Sequence, residues 1–150
     1  MKRLIASILV VIAAATVVTL VVADPFSVRA GHTSQTKLIA ELTATDADPL
    51  ASGKAKWEER FDGAVLERRR TSTEVEDVAT TGDHMVRVTR GNPPVAVATM
   101  TVSVDALGFG DLNLDSRDGD TVEVLAEGDL VEVLNPASDV ILTGTLQLKQ

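Results

Sequence analysis

The sequence predicts an all-β protein: a single antiparallel β-sandwich or barrel, preceded by an N-terminal hydrophobic signal or anchor helix. Three observations carry this. Beyond residue 23 no segment keeps the 3.6-residue apolar stripe of an amphipathic helix. Short alternating runs are separated by Gly, Pro, Asp and Asn at intervals of about ten residues, the spacing of a sandwich or barrel. The 150 residues, 45% of them hydrophobic, suffice for one domain with a sizeable core.

The N-terminus gives the address. Lys2 and Arg3 precede an uncharged run from Leu4 to Ala23. A basic start, an apolar stretch and a small-residue exit are the marks of a secretory signal peptide. Val21-Val22-Ala23 offers a cleavage site before Asp24, and Val28-Arg29-Ala30 a second one. The competing reading is an uncleaved anchor, since about 20 apolar residues cross a bilayer. Either way the basic end stays in the cytoplasm and the domain lies outside. The expected location is secreted or periplasmic, or anchored to the cytoplasmic membrane with the domain outside. The chain divides into 1–23 (signal or anchor), 24–36 (a linker without periodicity) and 37–150 (one β-rich domain).

The strands follow in order. Leu38, Ala40 and Leu42 form one face of a first strand, closed by Asp46-Ala47-Asp48-Pro49. From Ser52 to Arg60, Gly53, Ala55 and Trp57 point one way and Lys54, Lys56, Glu58 and Arg60 the other, which makes Trp57 the expected core anchor. Asp62-Gly63 signals a hairpin, and a long strand runs from Leu66 to Val78 with Thr71, Thr73 and Val75 on one face. After the turn at Gly82-Asp83, Met85 to Thr89 form another strand, broken by Gly91-Asn92-Pro93-Pro94. Val95 to Val104 is apolar on one face and partly so on the other, which predicts a central strand. Three units then begin nine residues apart: Gly110-Asp111-Leu112-Asn113-Leu114, Gly119-Asp120-Thr121-Val122-Glu123-Val124-Leu125 and Gly128-Asp129-Leu130-Val131-Glu132-Val133-Leu134. Each reads as a Gly-Asp turn and a strand. One glycine per unit is too few for a calcium-binding β-roll, so a plain meander is expected. Val140 to Leu148 supply a last strand across the Asn135-Pro136 turn.

Composition excludes several chemistries. There is no Cys, so no disulfide framework and no thiolate metal site. A net charge of −8 argues against nucleic-acid binding, which needs a basic face. There is no G-x-S-x-G and no phosphate-binding loop. His32 falls in the expected linker and His84 beside a turn, with no metal-ligand spacing between them. Only Trp57, Phe26, Phe61 and Phe109 are aromatic, too few for a glycan cleft. No catalytic residue is assigned, and the chain is read as non-enzymatic.

Two charge features remain. Residues 105–139 carry Asp105, Asp111, Asp115, Asp118, Asp120, Glu123, Glu127, Asp129, Glu132 and Asp139 against Arg117 alone. A calcium ion would relieve that repulsion, and the local candidate ligands are Asp111, Asn113, Asp115, Asp118 and Asp120. An EF-hand loop would need Gly and Glu where Ser116 and Val122 stand. Leu112 and Leu114 support the plainer alternative, a solvated strand face. The run Arg68-Arg69-Arg70 splits across two strand faces, since side chains alternate. Pairing with Glu58, Glu74 or Glu76 is the ordinary reading, and contact with an acidic partner or another copy of the chain the other.

Leu42-Thr43, then Pro49-Leu50-Ala51-Ser52-Gly53-Lys54-Ala55 and Trp57, resembles the opening of CHRD-type extracellular β domains. The family's His-Ile-His segment is absent, so no functional residue carries over. The runs Ala51-Ser52-Gly53-Lys54-Ala55, Glu74-Val75-Glu76-Asp77-Val78 and Gly110 to Asp115 also resemble small secreted bacterial β-rich proteins of unassigned function. These resemblances imply location and β-architecture only. The expected role is a structural or protein-interaction module outside the cytoplasmic membrane. A calcium-binding adhesion-like domain and a periplasmic binding or accessory domain are the alternatives. The expected partner is a protein or a second copy, with no nucleic acid, and a membrane only through an uncleaved N-terminal segment.

Overall fold

A computed structural model describes residues 33–149. The expected signal or anchor helix, and the linker up to residue 32, lie outside the described residues. Nine strands follow: β1 (Thr33–Ala44), β2 (Ser52–Asp62), β3 (Val65–Glu76), β4 (Gly82–Arg90), β5 (Val95–Val104), β6 (Gly110–Asp115), β7 (Leu130–Leu134), β8 (Val140–Thr145) and β9 (Gln147–Leu148). One 3-10 turn, Ser116–Asp118, follows β6, and the described residues contain no other helix.

All pairings are antiparallel, and the sheet closes on itself. Its order is β1-β2-β3-β6-β5-β4-β7-β8 and back to β1, an eight-stranded barrel, with β9 laid on the free edge of β1. Of the two architectures the alternation allows, this is the barrel. Period-two alternation puts the same residues inside in either case. Only the long-range pairing of β1 with both β2 and β8 separates them.

Register explains which side chains fill the interior. Leu38, Ala40 and Leu42 stand opposite Trp57, Ala55 and Gly53. Those three stand opposite Thr71, Thr73 and Val75, and these in turn opposite Leu114, Leu112 and Gly110. On the other wall Val86 and Val88 face inward beside Met100 and Ala98, and beside Val133 and Val131. Most are buried, while Met100, Leu112 and Leu114 are only partly so. Each fully buried Val or Leu contributes about 1.5–3 kcal/mol, so this single interior supplies the driving force for folding. Trp57, 3% exposed, is the largest side chain in it.

Closure depends on a glycine. A Cβ built at Gly144 would stand 2.5 Å from the backbone oxygen of Glu41, so only a residue without one lets β1 and β8 approach. Thr45 completes the junction: its N–H donates to Ile141 O at 3.0 Å and its hydroxyl to Val140 O at 2.6 Å.

Several boundaries differ from the sequence reading. β1 starts at Thr33, so the last four residues of the expected linker are strand, paired with Glu59–Asp62. Their side chains are exposed on a flap beyond the core, which is why no apolar alternation announces them. The expected last strand divides at Leu146, whose N–H donates to Asp129 O while its carbonyl accepts from Gly128 N–H.

The middle nine-residue unit is not a strand. β6 and β7 are separated around the barrel by β5 and β4, so residues 116–129 cross the barrel end. Val122 and Leu125 still bury themselves, 7% and 6% exposed. Thus the apolar pattern is met by capping the core rather than by pairing.

Candidate functional site: an open seam beside β5

β5 pairs with β4 from Val104↔Gly82 to Val95↔Arg90. Its other edge meets β6 at Val104↔Gly110 only. A turn fixes that junction: Asp105 N–H donates to Phe109 O at 2.8 Å, and Phe109 N–H to the Asp105 carboxylate at 3.0 Å. β6 then follows β3 through Arg70↔Asp115 and leaves β5. The expectation of a central strand over Val95–Val104 therefore fails on one side. Its apolar character reflects an inner face that lines a breach.

Strand geometry says what the breach presents. Backbone groups alternate sides along a strand. Because Asp105 N–H points to the β6 side, so do the backbone groups of Ser103, Thr101 and Thr99. Ser103 flanks the single β5–β6 pair, whereas Thr101 and Thr99 lie beyond it. Across the breach, Asp115 N–H points away from β3 and donates to the Asp120 carboxylate at 2.9 Å. Asn113, two residues before it, turns its backbone to the same side, into the gap.

The breach opens on a cavity of about 500 Å³. Ala98, Met100, Leu112 and Leu114 form its inner wall, with Thr99 and Thr101 at the rim and Thr121 to Leu125 across one end. That volume falls in the range of ligand pockets. Its lining is apolar with hydroxyls at the margin. Among the described residues, the Glu123 carboxylate in that lining has no ion-pair partner.

The crossing segment is held by side chains in place of a ladder. Trp57 Nε1–H donates to Glu123 O at 3.0 Å, Arg69 Nη1–H to Val122 O at 3.3 Å and Arg90 Nη2–H to Val124 O at 3.1 Å. At its far end the Asp129 carboxylate, 1% exposed, receives two bonds from Arg90 at 2.7 and 2.8 Å and one from Ala126 N–H at 2.8 Å. Burial pushes the Asp129 pKa up, but the Arg90 and Ala126 hydrogen bonds outweigh it and hold the carboxyl below its ordinary value.

The acidic run is arranged differently from a metal cage. Asp111, Asn113 and Asp115 share the outer face of β6. Asn113 accepts from Arg70 Nε–H at 2.7 Å. Asp115 accepts from Arg68 and from Arg117 N–H, which together hold its pKa below the usual carboxylate range. Asp118 lies in the 3-10 turn, and the Asp120 carboxylate is spent on the Asp115 backbone. Among the described residues no group of three or more His, Asp or Glu is placed to hold a metal ion.

The arginine run alternates as expected, but its partners differ. Arg68 takes Asp115, Arg70 takes Asn113, and Arg69 turns inward to Glu59 below the crossing segment. Glu58 and Glu74 are instead bound to Lys37 and Lys56. The reason is register: β3 stands between β2 and β6, so its arginines reach both neighbours. Sequence reading misses Arg90 and Asp129, which lie 39 residues apart. It also misses the burial of His84, 0% exposed, whose Nδ1 lies 3.0 Å from Gly82 O and whose Nε2 has no partner.

No protein-family model matches the chain, and no curated protein matches it either.

Proposed function

We propose that the protein is a non-enzymatic binding module acting outside the cytoplasmic membrane, and that it holds an extended polypeptide segment along the free edge of β5. The observation that carries this reading is the one-sided pairing of β5, which leaves the backbone of Thr99 and Thr101 open above an apolar cavity. Unpaired strand edges template the addition of another strand. Main-chain bonds give such a complex its affinity, and pockets for alternate side chains give its specificity. The burial of His84 in the core, 0% exposed, supports the non-enzymatic part, since a substrate on the surface does not meet it. The basic start and apolar run at the N-terminus support export.

The test is a panel of labelled nonapeptides of alternating apolar and polar residues, read by fluorescence anisotropy against the exported protein and its Thr99→Pro variant. Proline at position 99 removes an N–H that faces the gap, so the fold survives. Binding by the parent protein that is lost in the variant is expected. No binding across the panel, or equal binding by both proteins, overturns the reading. Repeating the titration with EDTA and then with calcium separates a metal-dependent module from this one.

A further inference from the structure

We infer that the outer face of the β1–β2–β3 wall, a surface separate from the seam, binds a phosphorylated sugar. That face carries a concavity of about 350 Å³, within the range of small-molecule sites. All four lysines of the described residues, Lys37, Lys54, Lys56 and Lys149, line it together with Arg70. Alternation sets most of them there. Leu38, Ala55, Trp57 and Thr71 turn inward, so Lys37, Lys54, Lys56 and Arg70 turn out. Lys149 is tied alongside by its backbone N–H, which donates to Lys37 O at 2.9 Å. A chain of net charge −8 thus gathers five of its 14 basic side chains around one hollow.

The floor of the hollow is Ser72. It stands opposite Lys56 on β2 and Asn113 on β6, with Arg70 and Glu74 as its neighbours along the same face of β3. The residue is 8% exposed, and its hydroxyl makes no hydrogen bond among the described residues. A polar group so enclosed costs free energy unless it is bonded, and the hollow is the side from which a partner can come. Arg70 commits only its Nε–H, to Asn113 Oδ1 at 2.7 Å, which orients the guanidinium. Among the described residues its remaining N–H groups meet no carboxylate. Lys56 spends one of its three donors on Glu74 at 2.8 Å.

These open groups define the ligand. A tetrahedral oxyanion carrying two charges accepts from Lys56, Arg70 and Ser72 together, Arg through its fork and Lys as a point charge. The ion pairs already on this wall, Lys37–Glu58, Lys54–Glu41 and Lys56–Glu74, are solvent-exposed. Pairs of that kind hold weakly, so the lysines are available to a stronger anion. The carboxylates decide the rest. Glu58, Glu74 and Asp111 share the lining, and Asp111 stands opposite Glu74 with no ion-pair partner among the described residues. They repel an extended polyanion but accept hydrogen bonds from hydroxyls. A ligand with one phosphate and several hydroxyls meets both halves of the lining. Free phosphate would leave Asp111 and Glu74 unused, and a neutral sugar would leave the cations unused.

Isothermal titration calorimetry tests this, with glucose phosphate, mannose phosphate, inorganic phosphate and free glucose as the probes. One saturable site for a sugar phosphate is expected, weaker for inorganic phosphate and silent for glucose, with affinity falling as salt is added. Lys56→Gln combined with Arg70→Gln should abolish binding. Ser72→Ala, which changes no charge, should weaken it about tenfold. Asp111→Asn should weaken the sugar phosphates and leave inorganic phosphate unchanged. Thermal unfolding of each variant shows whether the barrel is intact. Should the double variant unfold, Lys37→Gln combined with Lys149→Gln carries the same reading. Three results overturn the inference: no saturable heat with any phosphate probe, unchanged affinity in folded lysine and arginine variants, or equal affinity for inorganic phosphate and the sugar phosphates. The last of these makes the free ion the ligand.

Discussion

The wall made by β1, β2 and β3 and the wall made by β4, β5 and β6 are both three strands wide, yet only one is continuous. β2 is laddered on both edges, to β1 from Gly53 to Asp62 and to β3 from Ser52 to Asp62. β5 is laddered to β4 for its whole length and to β6 at a single pair. The two strands are of similar length and alternate similarly. What separates them is the neighbour: β6 ends at Asp115 and stays with β3. A sheet edge in this protein is therefore created by where the next strand goes, not by the composition of the strand that is exposed.

Proline placed on each wall should break this comparison most sharply. Lys56→Pro, inside the doubly paired β2, should cost about 3 kcal/mol or more by removing a ladder bond in the middle of a sheet. Thr99→Pro, with its N–H toward the gap, should change the chemical denaturation midpoint little. Equal losses for the two variants would mean that the seam is closed in solution. Next in size is Trp57→Ala, expected to cost about 3–5 kcal/mol through lost packing. Trp57→Phe keeps a ring in the core but drops the bond to Glu123 O, and should lose about 1 kcal/mol. Thermal unfolding of the two variants separates the core contribution of Trp57 from its hold on the crossing segment.

An effect smaller than that of Trp57→Ala follows from Arg90→Ala, which strips the buried Asp129 of its cation. Losing a buried partner costs about 3–5 kcal/mol, and with Arg90 nearly half exposed about 2 kcal/mol is expected. The sign with pH is fixed by the lowered Asp129 pKa. The stabilisation is complete above the unfolded value of 3.8 and is lost as pH falls through the lower folded value. Acid titration of the parent protein should show that loss, and the Arg90→Ala variant should show a flatter curve. A parallel curve would remove the pair from the account of stability. The smallest change is expected for His84→Leu. It removes the unpartnered Nε2 and gives up the Nδ1 contact with Gly82 O, at nearly constant volume, so the two changes offset and the melting temperature should move little.

Much of the fold is readable from residues alone. Leu38, Ala40, Leu42, Ala55, Trp57, Thr73 and Val75 declare their inward face by alternation, and the register places them there. Closure is not readable, because Thr43↔Thr143 and Ala44↔Leu142 join residues about a hundred positions apart. The middle nine-residue unit misleads for a physical reason. Val122 and Leu125 must be buried whether they lie in a strand or across a barrel end, and hydrophobic pattern reports burial rather than pairing. The seam is hidden by the same limit, since an apolar β5 looks alike with one neighbour or two. Thr33–Thr36 escape notice because an exposed flap carries no apolar signal.

The glycine at the β1–β8 junction has a consequence for how the sequence can change over time. At Gly63, in the β2–β3 turn, an added Cβ would meet nothing within 4 Å, so the only restraint there is the backbone angle. Small residues that tolerate a left-handed turn, Asn and Asp, can replace it. At Gly144 the obstruction is a neighbouring main chain, which no choice of side chain relieves. A saturation library scored for export and folding should accept several residues at position 63 and one at position 144. The least replaceable position in such a library would then be one that contributes no side chain at all.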